Sequence, residues 1–210
     1  MTSWLADTAD CDRRIARGQW GEDRLRNSCR WPVGPWNTAS NLAYVVAGAV
    51  VYWQRPGAAA AVMALALVAL GLGSAAYHAW KTLWANRLDH IGMYLVFGAL
   101  PMYAMAPDHP ATPWLMATTG IGLVVLFIYV SPQVSMDIQM ALLFWFSGLP
   151  ALLLGDTLLA ATGIGCFVVS YAAWHLDRRP TPALGRYGHA VWHLGTAAGI
   201  PLLFLARKAL

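Results

Sequence analysis

Two pairs of residues with helical spacing carry the chemistry this chain can do: His189 with His193, and Ser74 with His78. Positions four apart on an α-helix lie one above the other on a single face. The run His189-Ala190-Val191-Trp192-His193 therefore presents two imidazoles together. Such a pair can hold one metal, as in HExxH helices, although the glutamate is absent here. A third polar group is Asp89-His90. Three neutral histidines with an open fourth position make a catalytic zinc set. Water on such a zinc has its pKa lowered to about 7. A nearby carboxylate can hold that water and shuttle its proton, and a serine can donate to a developing oxyanion. Asp89 and Ser74 have the chemistry for these two parts.

These groups stand out because the rest of the chain is so apolar. Its 210 residues are 58% hydrophobic and 11% charged, with a mean hydropathy of +0.49. A soluble domain carries about 25% charged residues. A chain of this length cannot bury so much apolar surface in water, so lipid is the expected second solvent. Stretches nearly free of Asp, Glu, Lys and Arg predict seven membrane spans: 36–53, 58–79, 89–105, 113–130, 136–154, 157–174 and 187–206. The expected fold is an all-α polytopic membrane protein, a seven-transmembrane helix bundle. Residues 1–35 would form an N-terminal cytoplasmic segment and residues 36–210 the membrane domain. Cys11, Cys29 and Cys166 are too far apart for a disulfide framework or a zinc finger. No apolar h-region precedes the first span, so no cleavable signal peptide is expected.

Lysine and arginine fix the expected orientation. Arg13, Arg14, Arg17, Arg24, Arg26 and Arg30 precede the first span, Lys81 and Arg87 lie in the 2–3 loop, and Arg178, Arg179 and Arg186 lie in the 6–7 loop. Only Arg55, Arg207 and Lys208 fall on the other side. The N-terminus is thus expected in the cytoplasm and the C-terminus across the membrane. The basic pI of about 9.2 follows from arginines beside apolar segments, where topology signals sit, so nucleic acid is not an expected partner. In this orientation His78, Asp89 and His189 all fall roughly 5–10 Å inside the cytoplasmic boundary, at 1.5 Å of rise per residue.

Ionisable groups inside spans are costly and mark function, but each has a plainer reading. A single membrane histidine more often bonds a neighbouring helix than a metal. Agreement of all the groups in depth and side favours the metal. His90 points about 100° away from Asp89 and is expected in a supporting or interface role. His109 and His175 read as solvated, and Asp137 and Asp156 as interfacial. Asn37 and Asn41 sit one turn apart and are expected to brace the histidines or the N-terminal loop.

With these residues in place, the chain resembles the alkaline ceramidase family and the wider superfamily of seven-span metal hydrolases that includes the adiponectin-type receptors. The resemblance rests on Pro35-Trp36-Asn37-Thr38-Ala39-Ser40-Asn41 at the first span, Gly73-Ser74 with His78, Asp89, and His189 with His193, in the family's order. It implies zinc held by His78, His189 and His193, a water held by Asp89, and assistance from Ser74. The implied reaction is hydrolysis of the amide of ceramide-like lipids to a sphingoid base and a fatty acid. Family members often bind calcium through an acidic segment before the first span. Its nearest counterpart here is Trp20-Gly21-Glu22-Asp23, with Gln19 where an aspartate belongs and Gly34-Pro35 where an acidic residue belongs. Glu22 and Asp23 are thus the candidate calcium ligands, with Asp10 and Asp12 as further acidic groups, and a solvated acidic loop is the alternative. Weak or absent calcium dependence is expected. Two other functional classes remain open: a hydrolase of another N-acyl lipid or a lipid ester, and a receptor or structural module whose metal only staples the bundle.

Overall fold

The structure, a computed structural model, describes residues 22–23, 30–126, 136–179 and 183–207. Among them every regular element is helical. In chain order the helices are α1 (Pro35–Ser40), α2 (Leu42–Gln54), α3 (Ala58–Trp80), α4 (Leu83–Met105), α5 (Thr112–Val125), α6 (Met136–Leu143), α7 (Leu149–Leu154), α8 (Thr157–Asp177) and α9 (Gly188–Ala206). A π-helical turn, Phe144–Gly148, joins α6 to α7, and a 3-10 turn, Gly185–Tyr187, leads into α9.

Four tracts are long and apolar enough to cross a membrane: Ala58–Trp80, Met136–Leu154, Thr157–Asp177 and Gly185–Ala206. Each has 19–23 residues, against the roughly 20 needed to cross a hydrocarbon core. α4 matches α3 in length at 23 residues, but Arg87 and Asp89 in its first turns lower its hydropathy. Large apolar side chains cover much of the exterior, among them Trp53, Leu65, Trp114, Leu153 and Leu158. An outer surface of that kind calls for a lipid or protein partner.

Several element bounds differ from the sequence reading. The first apolar run is two helices. Asn41 breaks it by turning its Nδ2 onto Asn37 O at 2.6 Å, and the backbone resets with Tyr44 N donating to Asn41 O. α4 begins at Leu83 and not at Asp89, which places Asp89 in its second turn. Arg87 and Asp89 belong to a helix that a search for charge-free stretches cuts short. Gly155 and Asp156 suffice to separate α7 from α8, because Asp156 caps α8 by accepting from Leu158 N and Leu159 N. Such a cap supplies acceptors for helix N–H groups that have no partner within the helix.

α3 packs along α4 and α8 along α9, while α9 closes on α2. Val51, Met63, Leu67, Leu100 and Phe204 are fully enclosed between them. Helices α3 and α4 approach closely at Gly73, where an added Cβ would lie 2.5 Å from Leu88 O. No side chain fits there, and the missing one sets Ser74 beside Asp89.

The two ends of the bundle differ in chemistry. At one end Arg55 donates to Tyr103 Oη at 2.6 Å, to Leu205 O at 3.3 Å and to Arg207 O. Arg207 donates to Leu154 O at 2.7 Å. The C-terminal ends of α2, α4, α7 and α9 thus meet there, and two guanidiniums occupy carbonyls left open at helix ends. The opposite end holds the polar groups described next.

Candidate metal centre

The last turn of α3 and the first turns of α9 bring His78, His189 and His193 together. All three are buried, and one ring nitrogen from each lies within 4.8 Å of the others. The ring centroids are 4.9 Å apart for His78 and His189, 5.0 Å for His78 and His193, and 4.5 Å for His189 and His193. Among the described residues this is the one cluster of histidine, cysteine or carboxylate groups placed to hold a metal ion. Its donors are three imidazoles, the set suited to zinc, copper, iron or nickel and not to magnesium or calcium.

Protein groups hold the rings from behind. Ser40 Oγ lies 2.8 Å from His193 Nδ1 and donates to Asn37 O at 3.1 Å. A hydroxyl has a single hydrogen. With that hydrogen on Asn37 O, Ser40 accepts from His193 Nδ1–H, which leaves the Nε2 lone pair for a metal. Support of this sort orients ligating histidines in general. Lys81 Nζ lies 3.2 Å from His78 Nδ1. Asp177, fully buried at the end of α8, sets its carboxylate against the start of α9. A Cβ at Gly188 would lie 2.6 Å from Asp177 Oδ1. A carboxylate at a helix N-terminus is favoured by the helix dipole.

Ser74 and Asp89 come together as their shared depth implies, with the Ser74 hydroxyl donating to the Asp89 carboxylate. Both line a cavity of about 400 Å³ that also touches His189 and His193. Its lining mixes the apolar Met93, Phe97, Met140, Leu143 and Phe167 with the polar Asn86, Asp137, Gln139 and Arg178. Tyr44 lines it as well, with its hydroxyl 2.5 Å from Thr196 Oγ1. Thr196 in turn donates to Trp192 O at 2.8 Å. The arrangement sets a carboxylate and a hydroxyl around one space with two of the three histidines that could hold a metal.

His90 also borders the cavity and stays outside the histidine cluster, with Nδ1 donating to Asn86 O at 2.7 Å. His175 lies within α8, half-exposed, 3.7 Å from Asp137 Oδ1. His109 is exposed, and its Nδ1 accepts from Ala111 N at 3.2 Å.

Glu22 and Asp23 do not form a solvated acidic loop. Both are buried. Trp36 N and Asn37 N each donate to Glu22 at 3.0 Å, one to each carboxylate oxygen. Asp23 Oδ2 pairs with Lys81 Nζ at 2.9 Å. Both Glu22 oxygens and Asp23 Oδ2 thus face protein donors. Asp10 and Asp12 lie outside the described residues. Residues just before the first span also touch the membrane domain. Val33 N and Gly34 N donate to Ala79 O and His78 O at 3.1 and 2.9 Å, capping the helix that carries His78. Sequence reasoning missed Ser40, Lys81, Tyr44, Thr196 and Asp177. Ser40 alone lay within a motif already singled out.

No family model, no curated protein and no solved structure matches the chain.

Proposed function

We propose that the chain is a seven-span intramembrane hydrolase with zinc on His78, His189 and His193, and that it cleaves the N-acyl amide of ceramide-like lipids. One observation carries the reading: a carboxylate and a hydroxyl border the same cavity as His189 and His193, two of the three clustered histidines. A metal that only staples helices needs a fourth ligand and has no use for either group. The motifs that resemble the alkaline ceramidases speak for the amide and the lipid. The apolar side chains in the lining, Met93, Phe97, Met140, Leu143 and Phe167 among them, suit a hydrocarbon chain.

Zinc bound there would supply an acidified water and polarise the scissile carbonyl. The chain's own groups do the rest. Asp89 orients the attacking water and takes its proton as the new carbon–oxygen bond forms. Once protonated, Asp89 no longer needs the Ser74 hydrogen. The hydroxyl is then free to turn to the carbonyl oxygen as negative charge collects there. Collapse breaks the carbon–nitrogen bond, and Asp89 gives its proton to the leaving amine. The products are a fatty acid and a sphingoid base.

The test is purification with metal analysis, followed by fatty-acid release from N-acyl sphingoid lipids in detergent. About one zinc per chain and turnover are expected. Zinc without release from any N-acyl lipid would favour the receptor or structural reading.

Seven spans place the metal cluster toward the cytoplasm and the C-terminus on the far side. The Lys and Arg distribution supports this, as does the gathering of the ends of α2, α4, α7 and α9 around Arg55 and Arg207. Reporter fusions at the two termini should therefore report opposite sides, with the N-terminus cytoplasmic. Both ends on one side would rule the arrangement out.

A further inference from the structure

Helix α6, with its π-helical turn, stands between two largely apolar grooves. One, of about 380 Å³, lies between this tract and α8, and takes Asp137, Met140, Ala141, Phe144, Trp145 and Gly148 from it. The other, of about 260 Å³, lies toward α4 and takes Gln139, Leu142 and Phe146. At 3.6 residues per turn the two sets fall on opposite faces, about 180° apart. Both grooves open from the cavity that holds Ser74 and Asp89. Met140 and Phe167 line the cavity and the first groove, and Phe97 and Gln139 line the cavity and the second. Leu143 borders all three and marks the fork. From there the grooves run in the same direction, past Asp137 to Gly148 on one side and Tyr94 to Met105 on the other. That is roughly 16 Å each, at about 1.5 Å of rise per residue. The π-helical turn Phe144–Gly148 lies where both pass, and such turns recur at functional sites. The heads of the grooves differ. At the first, Tyr171 Oη donates to Asp137 Oδ1. In the second, only Gln139 and Tyr94 bring polar atoms.

We propose that a two-chain lipid straddles α6, with its fatty-acyl chain in the α4–α6 groove and its sphingoid chain in the α6–α8 groove. The proposal rests on the hydrolase reading and deepens it, because it restricts the substrate to amides with a long chain on each side of the scissile bond. Burial of a hydrocarbon chain gains free energy in proportion to the apolar area covered. An N-acyl amine with one chain leaves one groove unfilled and forgoes that gain. The polar groups assign the chains. A sphingoid base carries hydroxyls beside the amide nitrogen, and Asp137 and Tyr171 stand at the head of the α6–α8 groove to meet them. The acyl chain carries no polar group beyond its carbonyl, and the more apolar groove along α4, the helix of Asp89, suits it. Hydrolysis adds the hydroxyl of water to the acyl carbon and its hydrogen to the nitrogen. The products are then separate molecules with one chain each, on opposite sides of α6, and each can leave by its own groove.

The experiment is photo-crosslinking of the full wild-type chain in phosphatidylcholine vesicles. Two N-acyl sphingoid lipids serve as probes, one with a diazirine at the end of the acyl chain and one with it at the end of the sphingoid chain. Labelled residues are mapped by mass spectrometry. The acyl probe should label the groove of Met102, Leu123 and Phe146, and the sphingoid probe the groove of Trp145, Ile164 and Val168. Excess unlabelled N-acyl sphingoid lipid should suppress both signals. Both probes in one groove, the two chains exchanged, or labelling that the competitor leaves intact, as for bulk lipid, overturns the proposal. Turnover supplies a second readout. Ala141→Trp and Leu142→Trp plug the two grooves from adjacent, exposed positions on one helix. In Ala141→Trp, kcat/KM should fall at least about tenfold for lipids with a long sphingoid chain and recover when that chain is shortened. Leu142→Trp should show the same dependence on the acyl chain. Equal losses on every substrate, or a single-chain N-acyl amine cleaved as fast as the two-chain lipid, overturns the straddle. If either variant does not fold, the wild-type labelling decides alone. Expected labelling without fatty-acid release refutes hydrolysis and leaves the two grooves as the lipid site, whereas release with labelling outside the grooves refutes only the straddle.

Discussion

Replacing His78, His189 or His193 by alanine should each take zinc from about one per chain to near none. Catalytic zinc sites rest on three protein ligands with water or substrate as the fourth. Two imidazoles alone leave an incomplete set. The two helices contribute unequally. α9 supplies the pair His189 and His193, and α3 supplies His78 alone, so His78→Ala removes the only ligand that ties α3 to α9 through a metal. A second measurement separates ligand loss from collapse of the fold. A metal that binds the native state adds to its stability, so each variant should melt like metal-stripped wild type and keep its helical content. Stoichiometric zinc in all three variants would refute the ligand assignment.

The part of this site that follows helical spacing was legible in the sequence. His189 and His193 share a face because α9 is helical through both. Ser74 and His78 share one on α3 for the same reason. Bringing these pairs to one end of the bundle needed one further inference, that successive helices alternate in direction, and the short joins favour that. Asp89 was legible by depth even though α4 starts at Leu83. A residue's level along an antiparallel hairpin changes little when the helix is extended by a turn or two at its loop end.

What stayed hidden depends on contacts between distant parts of the chain. Ser40 meets His193 across 153 positions, and Glu22 meets Asn37 across 15. No periodicity encodes either contact. Lys81 was read as a topology charge, since basic residues flanking a span normally sit in water. Its burial follows from Asp23, a partner supplied by a segment outside the predicted helices. The break at Asn41 was hidden differently. The hydrophobic run continues through it, and only the local competition of a side-chain amide for a helix carbonyl resets the backbone.

Asp89→Asn should keep the fold and most of the zinc, yet lose at least about 10²-fold in hydrolysis, the usual scale for a general base. Asp89 stands apart from the three histidines as a group and shares a cavity with His189 and His193. Its carboxylate already accepts from Ser74, and an asparagine carbonyl can accept the same bond. The shape of the pocket and the position of Ser74 therefore survive the change. Basicity does not. An amide oxygen cannot hold the proton of the attacking water or return it to the departing amine, and without that return the leaving group is an unstable amide anion. Ser74→Ala is the milder variant. It removes one donor from an oxyanion that the metal also stabilises, and should cost on the order of 10–10². The order of the two effects is itself informative. A greater loss in Ser74→Ala than in Asp89→Asn would make the hydroxyl the main catalytic group and the carboxylate its support. The assay follows free fatty acid from an N-acyl sphingoid lipid, with zinc content measured on the same preparations. Asp89→Asn turning over at the wild-type rate with its zinc in place would show that the proton passes through another group.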